Sequence, residues 1–205
     1  MIPDNQLSSL YVRDIDYYQQ HGIFAGIDEA GRGALAGPVV IAAVVLDYMN
    51  PIDGLNDSKT IKPLRREQLY EQIIASALDY AIVEISAKVI DEINILQASI
   101  KGFELAFNKL KPAPDFCLID GRDVPKSLKG TAKAVIKGDQ LHAAIAAASI
   151  LAKVYRDNLM RELDTVYPAY GFAQHKGYGT KLHCRAIHSI GMCCIHRRTY
   201  NVPQL

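Results

Sequence analysis

The chain has 205 residues, of which 49% are hydrophobic and 22% charged, and its formal net charge is +1. This length and composition fit a globular protein with its own core and exclude disordered, collagen-like and low-complexity chains. The longest apolar stretches, 35–46 and 143–152, are too short for a membrane span, which needs about 20 residues. The N-terminal residues also lack the basic start and apolar run of a secretory signal, so we expect a soluble, cytoplasmic protein with reduced thiols.

Strand and helix patterns alternate along the first half of the chain. A short buried strand is predicted at Phe24–Asp28, followed by the turn Gly31-Arg32-Gly33. The β-rich apolar run Val39–Leu46 indicates a strand that is covered on both faces. A helix then begins with Pro63 at its first position, and strand character returns at Ala81–Ala87.

The second half predicts helices that alternate with two short strands. A helix from Ile93 has an apolar stripe at steps of three and four. The stripe consists of Ile93, Leu96, Ile100, Phe103, Phe107 and Leu110, and the helix ends at Pro112 and Pro114. Strands at Phe116–Ile119 and Ala132–Ile136 precede an alanine-rich helix at about Leu141–Leu163, and Thr180 caps a last helix. The alternation predicts an α/β fold with a helical lobe at its C-terminal end.

Charge is unevenly distributed along the chain. Residues 1–150 hold 15 Lys and Arg against 19 Asp and Glu, whereas residues 151–205 hold 8 against 3. A carboxylate-rich body with a basic tail suits a site that holds cations and also binds a polyanion, although scatter over solvated surfaces explains the numbers equally well. We expect a core at 1–160 and a basic, helical substrate-binding extension at 161–205, within one compact unit.

Three predicted strands end in acidic residues, namely Asp28 with Glu29, Asp120, and Asp139. Sites in α/β proteins form at strand ends and in the loops just beyond them. Acids gathered there repel one another unless something offsets the repulsion, and a divalent cation does so. Two magnesium ions would activate a water molecule and stabilise the leaving oxygen of a phosphodiester. The alternative is that each acid caps a turn, which is common for a single aspartate.

Backbone geometry constrains how these acids combine. Adjacent residues of a regular strand face opposite ways, so we expect a bend between Asp28 and Glu29 if both point into one site. Asp157 follows Asp139 by 18 residues, so on one straight helix the two would stand about 27 Å apart. We therefore expect Asp157 to have a structural role, paired with Arg156, Arg161 or the helical lobe.

The cysteines raise the alternative of a zinc site. Cys184, Cys193 and Cys194 lie close in sequence to His188 and His196. Their spacing matches no paired C-x-x-C pattern, so scattered cytosolic cysteines are the better interpretation.

A series of motifs runs from the glycine-rich first strand to the C-terminal tail. They are Gly26–Val40 with its Asp-Glu-Ala-Gly-Arg-Gly segment, Asp57-Ser58-Lys59, Ile119-Asp120-Gly121, Lys137-Gly138-Asp139, Ala146–Asp157, Tyr170–Tyr178 and His196-Arg197-Arg198. In this order they resemble the bacterial type 2 ribonuclease H family, ribonuclease HII. One such segment alone would be weak, but the ordered set is specific.

The resemblance implies a ribonuclease H-like fold, with a mixed sheet flanked by helices and a C-terminal helical extension. It implies a monomeric endonuclease that hydrolyses the RNA strand of RNA–DNA hybrids and nicks 5′ to single ribonucleotides in duplex DNA. The products end in 3′-hydroxyl and 5′-phosphate, and the reaction needs Mg²⁺ or Mn²⁺, with two ions during catalysis. The metal-binding acids of the family fall on Asp28, Glu29, Asp120 and Asp139.

The resemblance also implies how substrate is recognised. The turn Gly31-Arg32-Gly33 matches one that reads the ribose 2′-hydroxyl through backbone groups, and glycines let backbone approach the sugar closely. Tyr178 matches a junction-sensing tyrosine whose ring stacks on a sugar or base, although the residue alone suggests a core tyrosine. Basic residues that either contact phosphates or are ordinary solvated charges are Lys59, Lys176, Lys181, Arg197 and Arg198.

Two other functions stay open at this point. One is another nuclease of the same superfold, such as a junction resolvase, and the other is a non-catalytic protein that binds hybrids. The Gly31-Arg32-Gly33 turn and Tyr178 argue against the first, and the four intact acids argue against the second.

Overall fold

The computed structural model describes residues 8–111 and 113–204. Its helices and strands, in chain order, are α1 (Ser9–His21), β1 (Phe24–Ala30), β2 (Val39–Val45), α2 (Pro63–Ser76), β3 (Asp79–Ile85), α3 (Ala87–Lys109), β4 (Phe116–Asp120), β5 (Ala132–Val135), α4 (Ala143–Val166), α5 (Phe172–His175) and α6 (Lys181–Ile190). Pro112, which was predicted with Pro114 to end the third helix, lies outside the described residues.

The strands form a five-stranded mixed sheet in the order β3-β2-β1-β4-β5. The β1–β2 and β2–β3 pairs are antiparallel, whereas β4 is parallel to both β1 and β5. Every residue of β2 is buried, as its continuous apolar run predicts. The expected fold class, a mixed sheet flanked by helices, is confirmed.

Helices cover both faces of the sheet. α1, α2 and α4 pack on one face, around side chains such as Phe24 and Leu118. α3 packs on the other face, which includes Ile27 and Ile41. No helix within the described ranges is long and apolar enough to cross a bilayer.

The C-terminal region packs around a cluster of its own. Phe172 and Ile187 from the tail contact Met160 of α4 and Leu35 from the loop after β1. α4 itself continues through residue 160, so the helix joins the two parts of the chain. The division into 1–160 and 161–205 stays a prediction.

Strand β1 runs through its two acids without a bend. Asp28 pairs with Ala42 and Glu29 with Ile41, in an antiparallel register that continues to Ala30. The predicted bend between the two acids is therefore wrong. Because both lie within the last three residues of the strand, their side chains reach the space beyond its end from either face.

Helix α3 begins earlier than predicted and is interrupted. The Ser86 side chain caps its first turn, so Ala87 belongs to the helix and not to the preceding strand. Asn94 has φ 65° and ψ 165°, which breaks the helix, and its side chain accepts a hydrogen bond from Gln97 N–H at 3.1 Å. Leu96, a member of the predicted apolar stripe, is exposed.

Helix α1 was not predicted at all. It buries Leu10, Tyr11 and Asp14 against the rest of the protein. The Tyr11 hydroxyl accepts a hydrogen bond from Ile52 N–H at 2.8 Å, which ties α1 to the loop after β2. A helix that buries an aspartate lacks the regular apolar stripe on which sequence prediction depends.

Candidate active site

The four predicted acids stand at the ends of elements that the sheet brings together. Asp28 and Glu29 lie near the end of β1, and Asp120 is the last residue of β4. Because these two strands are parallel neighbours, their carboxyl ends meet at one edge of the sheet. Asp139 lies in a single 3-10 turn, Gly138–Gln140, between β5 and α4.

Burial and mutual repulsion raise the pKa of three of these acids. Burial raises the pKa of Asp28 well above its usual range, and the charges of Glu29 and Asp120 add to this effect. Burial also raises the pKa of Glu29. Burial and neighbouring carboxylates raise the pKa of Asp139 to about 6. The site therefore concentrates negative charge that a cation would stabilise.

Hydrogen bonds orient two of the acids and leave a third without a partner for one oxygen. Asp28 Oδ1 accepts a hydrogen bond from Glu29 N–H at 2.7 Å. Asp120 Oδ1 accepts one from Gly138 N–H, also at 2.7 Å. Glu29 Oε2 is buried and has no hydrogen-bond partner, which costs free energy unless another group binds it.

These features fit a divalent cation of the magnesium type. Carboxylate oxygens are its preferred ligands, and the ion would both satisfy Glu29 Oε2 and offset the repulsion between the acids. Among residues 8–111 and 113–204, no three His, Cys, Asp or Glu side chains already surround one point as a closed ligand set. Magnesium does not require such a set, because it keeps several waters and binds substrate phosphate oxygens.

A cleft of about 480 Å³ opens beside Asp28 and Glu29. The Gly31-Arg32-Gly33 turn, Lys59 and Tyr178 line it, so the structure brings these predicted recognition residues next to two of the acids. Asp120 and Asp139 do not line the cleft. Further lining residues, which sequence reasoning missed, are Ser58, Ser149 and Lys153.

The missed residues carried a signal in their spacing. Ser149 and Lys153 are four positions apart on α4 and therefore share one helix face. The Ser149 hydroxyl is 2.8 Å from that of Ser58, which connects α4 to the loop that carries Lys59.

The basic residues differ in where their charges lie. The Lys59 side chain is 79% exposed, with Nζ 3.8 Å from Asp139 Oδ2. Lys176 does not line the cleft, and its ammonium group donates a hydrogen bond to the Ala173 carbonyl. Arg197 is fully buried, so it is neither a phosphate ligand nor a solvated charge.

Arg156 is buried beneath the site and joins three stretches of backbone. It is 1% exposed and lies on α4. Its guanidinium donates to the carbonyls of Ala36 and Pro38 at 3.0 Å each and to that of Lys176 at 2.9 Å. The same group lies 5.3 Å from the centre of the Tyr178 ring. Arg156 thus positions both the loop after β1 and the turn that presents Tyr178.

Arg197 holds the same loop from the C-terminal tail. Its guanidinium donates two hydrogen bonds to Gly37 O, at 3.0 and 3.1 Å, and one to Arg32 O at 2.7 Å. The Tyr200 hydroxyl also donates to Arg32 O, at 2.8 Å. The Arg32 side chain points to Glu29, with a 3.2 Å ion pair.

Asp57 is a fifth acid in this region that sequence reasoning did not assign to the site. It is buried, and its Oδ1 accepts a hydrogen bond from Lys59 N–H at 2.9 Å. Its Oδ2 accepts one from Gln140 Nε2 at 3.3 Å, beside Asp139. Asp57 thus connects the loop before α2 to the turn before α4.

Asp157 pairs with a different residue from the expected ones. Its Oδ1 lies 2.8 Å from Lys153 Nζ, one helical turn away. The predicted pairing with Arg156 or Arg161 is wrong, because Arg156 donates its hydrogen bonds to backbone carbonyls and Arg161 pairs with Glu67.

Comparisons with known proteins show which family the chain belongs to. Residues 25–202 match the family model described as Ribonuclease HII. The chain belongs to the ribonuclease HII family. The ribonuclease HII of Acinetobacter baylyi is 51% identical over 178 residues, which cover 87% of this chain and 94% of that protein.

Solved structures of the family have the same fold. The crystal structure of ribonuclease H2 from Pyrococcus horikoshii gives a TM-score of 0.74 at 31% identity, covering 88% of this chain and 94% of that one. The ribonuclease HII in the PCNA complex from Archaeoglobus fulgidus gives a TM-score of 0.74 at 27% identity, covering 89% of this chain and 97% of that one. The resemblance inferred from the motifs is confirmed, and enzymes of this family are metal-dependent.

Replacing Arg156 by lysine should destabilise the protein, since an ammonium group cannot reproduce a planar fork that meets three carbonyls. We expect the free energy of unfolding to fall by about 2 to 4 kcal/mol, as measured by urea denaturation. Arg185→Lys, an exposed substitution on α6, is the matched control and should change little. Equal stabilities of the two variants would contradict the role given to Arg156.

Metal binding should strengthen as the pH rises through about 6, because protons compete with a cation for the same carboxylate oxygens. Without metal, the stability of the protein changes with pH in the opposite direction. The raised pKa of Asp139 contributes stability below its ordinary pKa that is lost as the pH rises through about 6. We therefore expect Mg²⁺ to raise the thermal unfolding midpoint more at about pH 8 than at about pH 5. Equal shifts at both pH values would count against the acid site.

Proposed function

We propose that the chain hydrolyses the RNA strand of RNA–DNA hybrids and nicks duplex DNA on the 5′ side of a single embedded ribonucleotide. Membership of the ribonuclease HII family makes it a ribonuclease H endonuclease. The observation that carries the finer proposal is one cleft that joins the acids Asp28 and Glu29 to the Gly31-Arg32-Gly33 turn and Tyr178. The acids proposed to bind metal and the turn proposed to recognise ribose thus lie in one cleft.

The proposed cofactor is Mg²⁺ or Mn²⁺, with two ions during catalysis. Asp28, Glu29, Asp120 and Asp139 would hold the ions, with Glu29 Oε2 supplying an oxygen that has no other partner. Bound divalent cations supply Lewis acidity, which activates a water and stabilises the leaving 3′ oxygen. Water attack at phosphorus breaks the bond to that oxygen, which leaves a 3′-hydroxyl and a 5′-phosphate.

Ribose recognition would come from backbone groups of the Gly31-Arg32-Gly33 turn. The Arg32 carbonyl is already occupied by Arg197 and Tyr200, so it is not the group that meets the sugar. Gly31 O accepts a hydrogen bond from Ala34 N–H, and a Cβ added at Gly31 would overlap the Arg156 side chain, so the open side of the turn is at Gly33, where an added Cβ would meet nothing within 4 Å. Backbone groups there can approach a 2′-hydroxyl closely. The 2′-hydroxyl is what separates RNA from DNA at a given nucleotide.

Tyr178 would sense the junction by stacking its ring on a sugar or base. It is held by the stretch of backbone that Arg156 anchors through Lys176 O. Lys59, exposed beside Asp139, would contact a phosphate, and Lys176 would reach the duplex only after leaving its bond to Ala173.

Two further proposals concern the oligomeric state of the protein and its location in the cell. We propose that it acts as a monomer, because the cleft and its supporting arginines come from a single chain. A substrate of chromosomal DNA with embedded ribonucleotides would place it in the cytoplasm.

Asp120→Asn should lower cleavage of an RNA–DNA hybrid by about 100-fold or more, because it removes a charge from the metal site without changing its shape. Asp123→Asn, an exposed change three residues away, is the control and should cleave like the wild type. Product yield on a labelled hybrid, with and without chelator, is the measurement. Retained cleavage by Asp120→Asn would show that the acids are misassigned, and cutting of an all-DNA junction at the same rate would favour a resolvase.

Tyr178→Ala should affect the single-ribonucleotide substrate more than the long hybrid. A long hybrid offers many sites without a defined junction, whereas one ribonucleotide in DNA depends on the stacking contact, worth about 1 to 3 kcal/mol. We expect roughly a 10-fold greater loss of kcat/KM on the single-ribonucleotide duplex. Tyr80→Ala, on the exposed edge strand β3, is the control, and equal losses on both substrates would remove the junction role from Tyr178.

A further inference from the structure

The N-terminal helix α1 lies outside the region that the family model matches, which begins at residue 25. It nevertheless carries Asp14, which is fully buried. A buried carboxylate is costly unless hydrogen bonds and positive charge compensate for lost water. The contacts of Asp14 therefore indicate what this helix does for the rest of the protein.

Asp14 makes three hydrogen bonds to two other parts of the chain. Its Oδ1 lies 2.7 Å from His142 Nδ1. Its Oδ2 accepts from Ala144 N–H at 2.9 Å and from the Tyr48 hydroxyl at 3.0 Å. Two of these three partners, His142 and Ala144, lie at the N-terminal end of α4.

Through these bonds Asp14 caps α4 in place of the residue that normally would. His142 stands at the N-cap of α4, but its side chain makes no capping bond. Its ring is instead directed to Asp14, and the carboxylate from α1, 130 residues away in sequence, accepts the free N–H of Ala144. A negative charge there is also stabilised by the helix dipole.

The start of α4 is where the elements that carry the acids meet. A Cβ added to Gly26 of β1 would overlap the backbone of Ala144, so β1 and α4 touch there without side chains between them. β1 carries Asp28 two residues later. On the other side, His142 N–H donates to Gly138 O at 2.8 Å, which holds the turn with Asp139.

The same turn connects to Asp120 at the end of β4. Gly138 N–H donates to Asp120 Oδ1 at 2.7 Å, and a Cβ at Gly138 would overlap Ile145 of α4. A shift of the α4 start would therefore move Asp139 relative to Asp28 and release the hydrogen bond that orients Asp120.

We propose that Asp14 is a positioning residue for the metal-binding acids, acting through the N-terminus of α4. This inference rests on the proposed function, since it assumes that Asp28, Asp120 and Asp139 bind metal. Asp14 itself does not line the cleft. It sets the separation of Asp139 from the acids of β1 and β4.

The test is the affinity for Mn²⁺ alone, measured on the full chain by isothermal titration calorimetry. Asp14→Ala removes all three bonds, and we expect its dissociation constant to rise roughly 10-fold relative to the wild type. Ile73→Ala is the matched control, because Ile73 is also fully buried, in the core cluster that Leu10 and Tyr11 of α1 join, but lies on α2, away from the acids. It should lower the thermal midpoint and leave the Mn²⁺ affinity unchanged.

Asp14→Asn provides a second variant, which can still accept from Ala144 N–H and donate to the other tautomer of His142. We expect its Mn²⁺ affinity to lie between those of Asp14→Ala and the wild type, and it decides the question if Asp14→Ala does not fold. Unchanged affinity in the Asp14 variants, or an equal loss in Ile73→Ala, would overturn the positioning role alone. Failure of the wild type to bind Mn²⁺ would overturn this inference, and failure of the wild type to cleave a hybrid in Mn²⁺ would overturn the proposed function.

Discussion

The arrangement of the site depends on one buried guanidinium. Arg156 is removed from water, so its desolvation must be compensated by hydrogen bonds, and the carbonyls of Ala36, Pro38 and Lys176 provide them. Burial lowers the pKa of Arg156 to about 10, which leaves it charged at neutral pH. Because the fork is planar and rigid, the loop after β1 and the turn before Tyr178 cannot move independently of α4. The Gly31-Arg32-Gly33 turn and Tyr178 are thereby held at fixed positions beside Asp28 and Glu29.

The acids differ from Arg156, because their burial is only partly compensated within the protein: Arg32 pairs with Glu29, and Lys59 lies near Asp139. Burial and mutual repulsion raise the pKa of Asp28, Glu29 and Asp139, and Glu29 Oε2 has no partner. Such repulsion between buried carboxylates is expected in a functional site that binds a ligand, and a bound cation would reduce it. Different features of the protein thus underlie the proposed chemistry and the proposed specificity. Repulsion between the carboxylates favours metal binding, and the buried arginines fix the backbone that would recognise the substrate.

Residue patterns predicted the strands, the burial of β2 on both faces and the acidic residues that follow the strands, because each depends on local signals: continuous apolar runs, and charged residues where those runs stop. The role of the acids stays a prediction. They could not predict that Arg156 and Arg197 are buried, since a charged residue in sequence is ordinarily solvated and only the tertiary structure supplies carbonyls for it. The regular path of β1 through Asp28 and Glu29 was also missed. Side chains on both faces of a strand can reach the space beyond its end, so no bend is needed. Helix α1 and the break at Asn94 have weak local signals and depend on long-range contacts.

The central claim is that one cleft combines carboxylate chemistry with recognition of a single ribose. The most direct measurement is cleavage mapping on a DNA duplex that contains one ribonucleotide, compared with the same duplex bearing a deoxynucleotide there, in Mg²⁺ with and without chelator. We expect one nick, on the 5′ side of the ribonucleotide, with a 3′-hydroxyl and a 5′-phosphate, only in the presence of metal. Cleavage of both duplexes alike, or cleavage that survives the chelator, would contradict it.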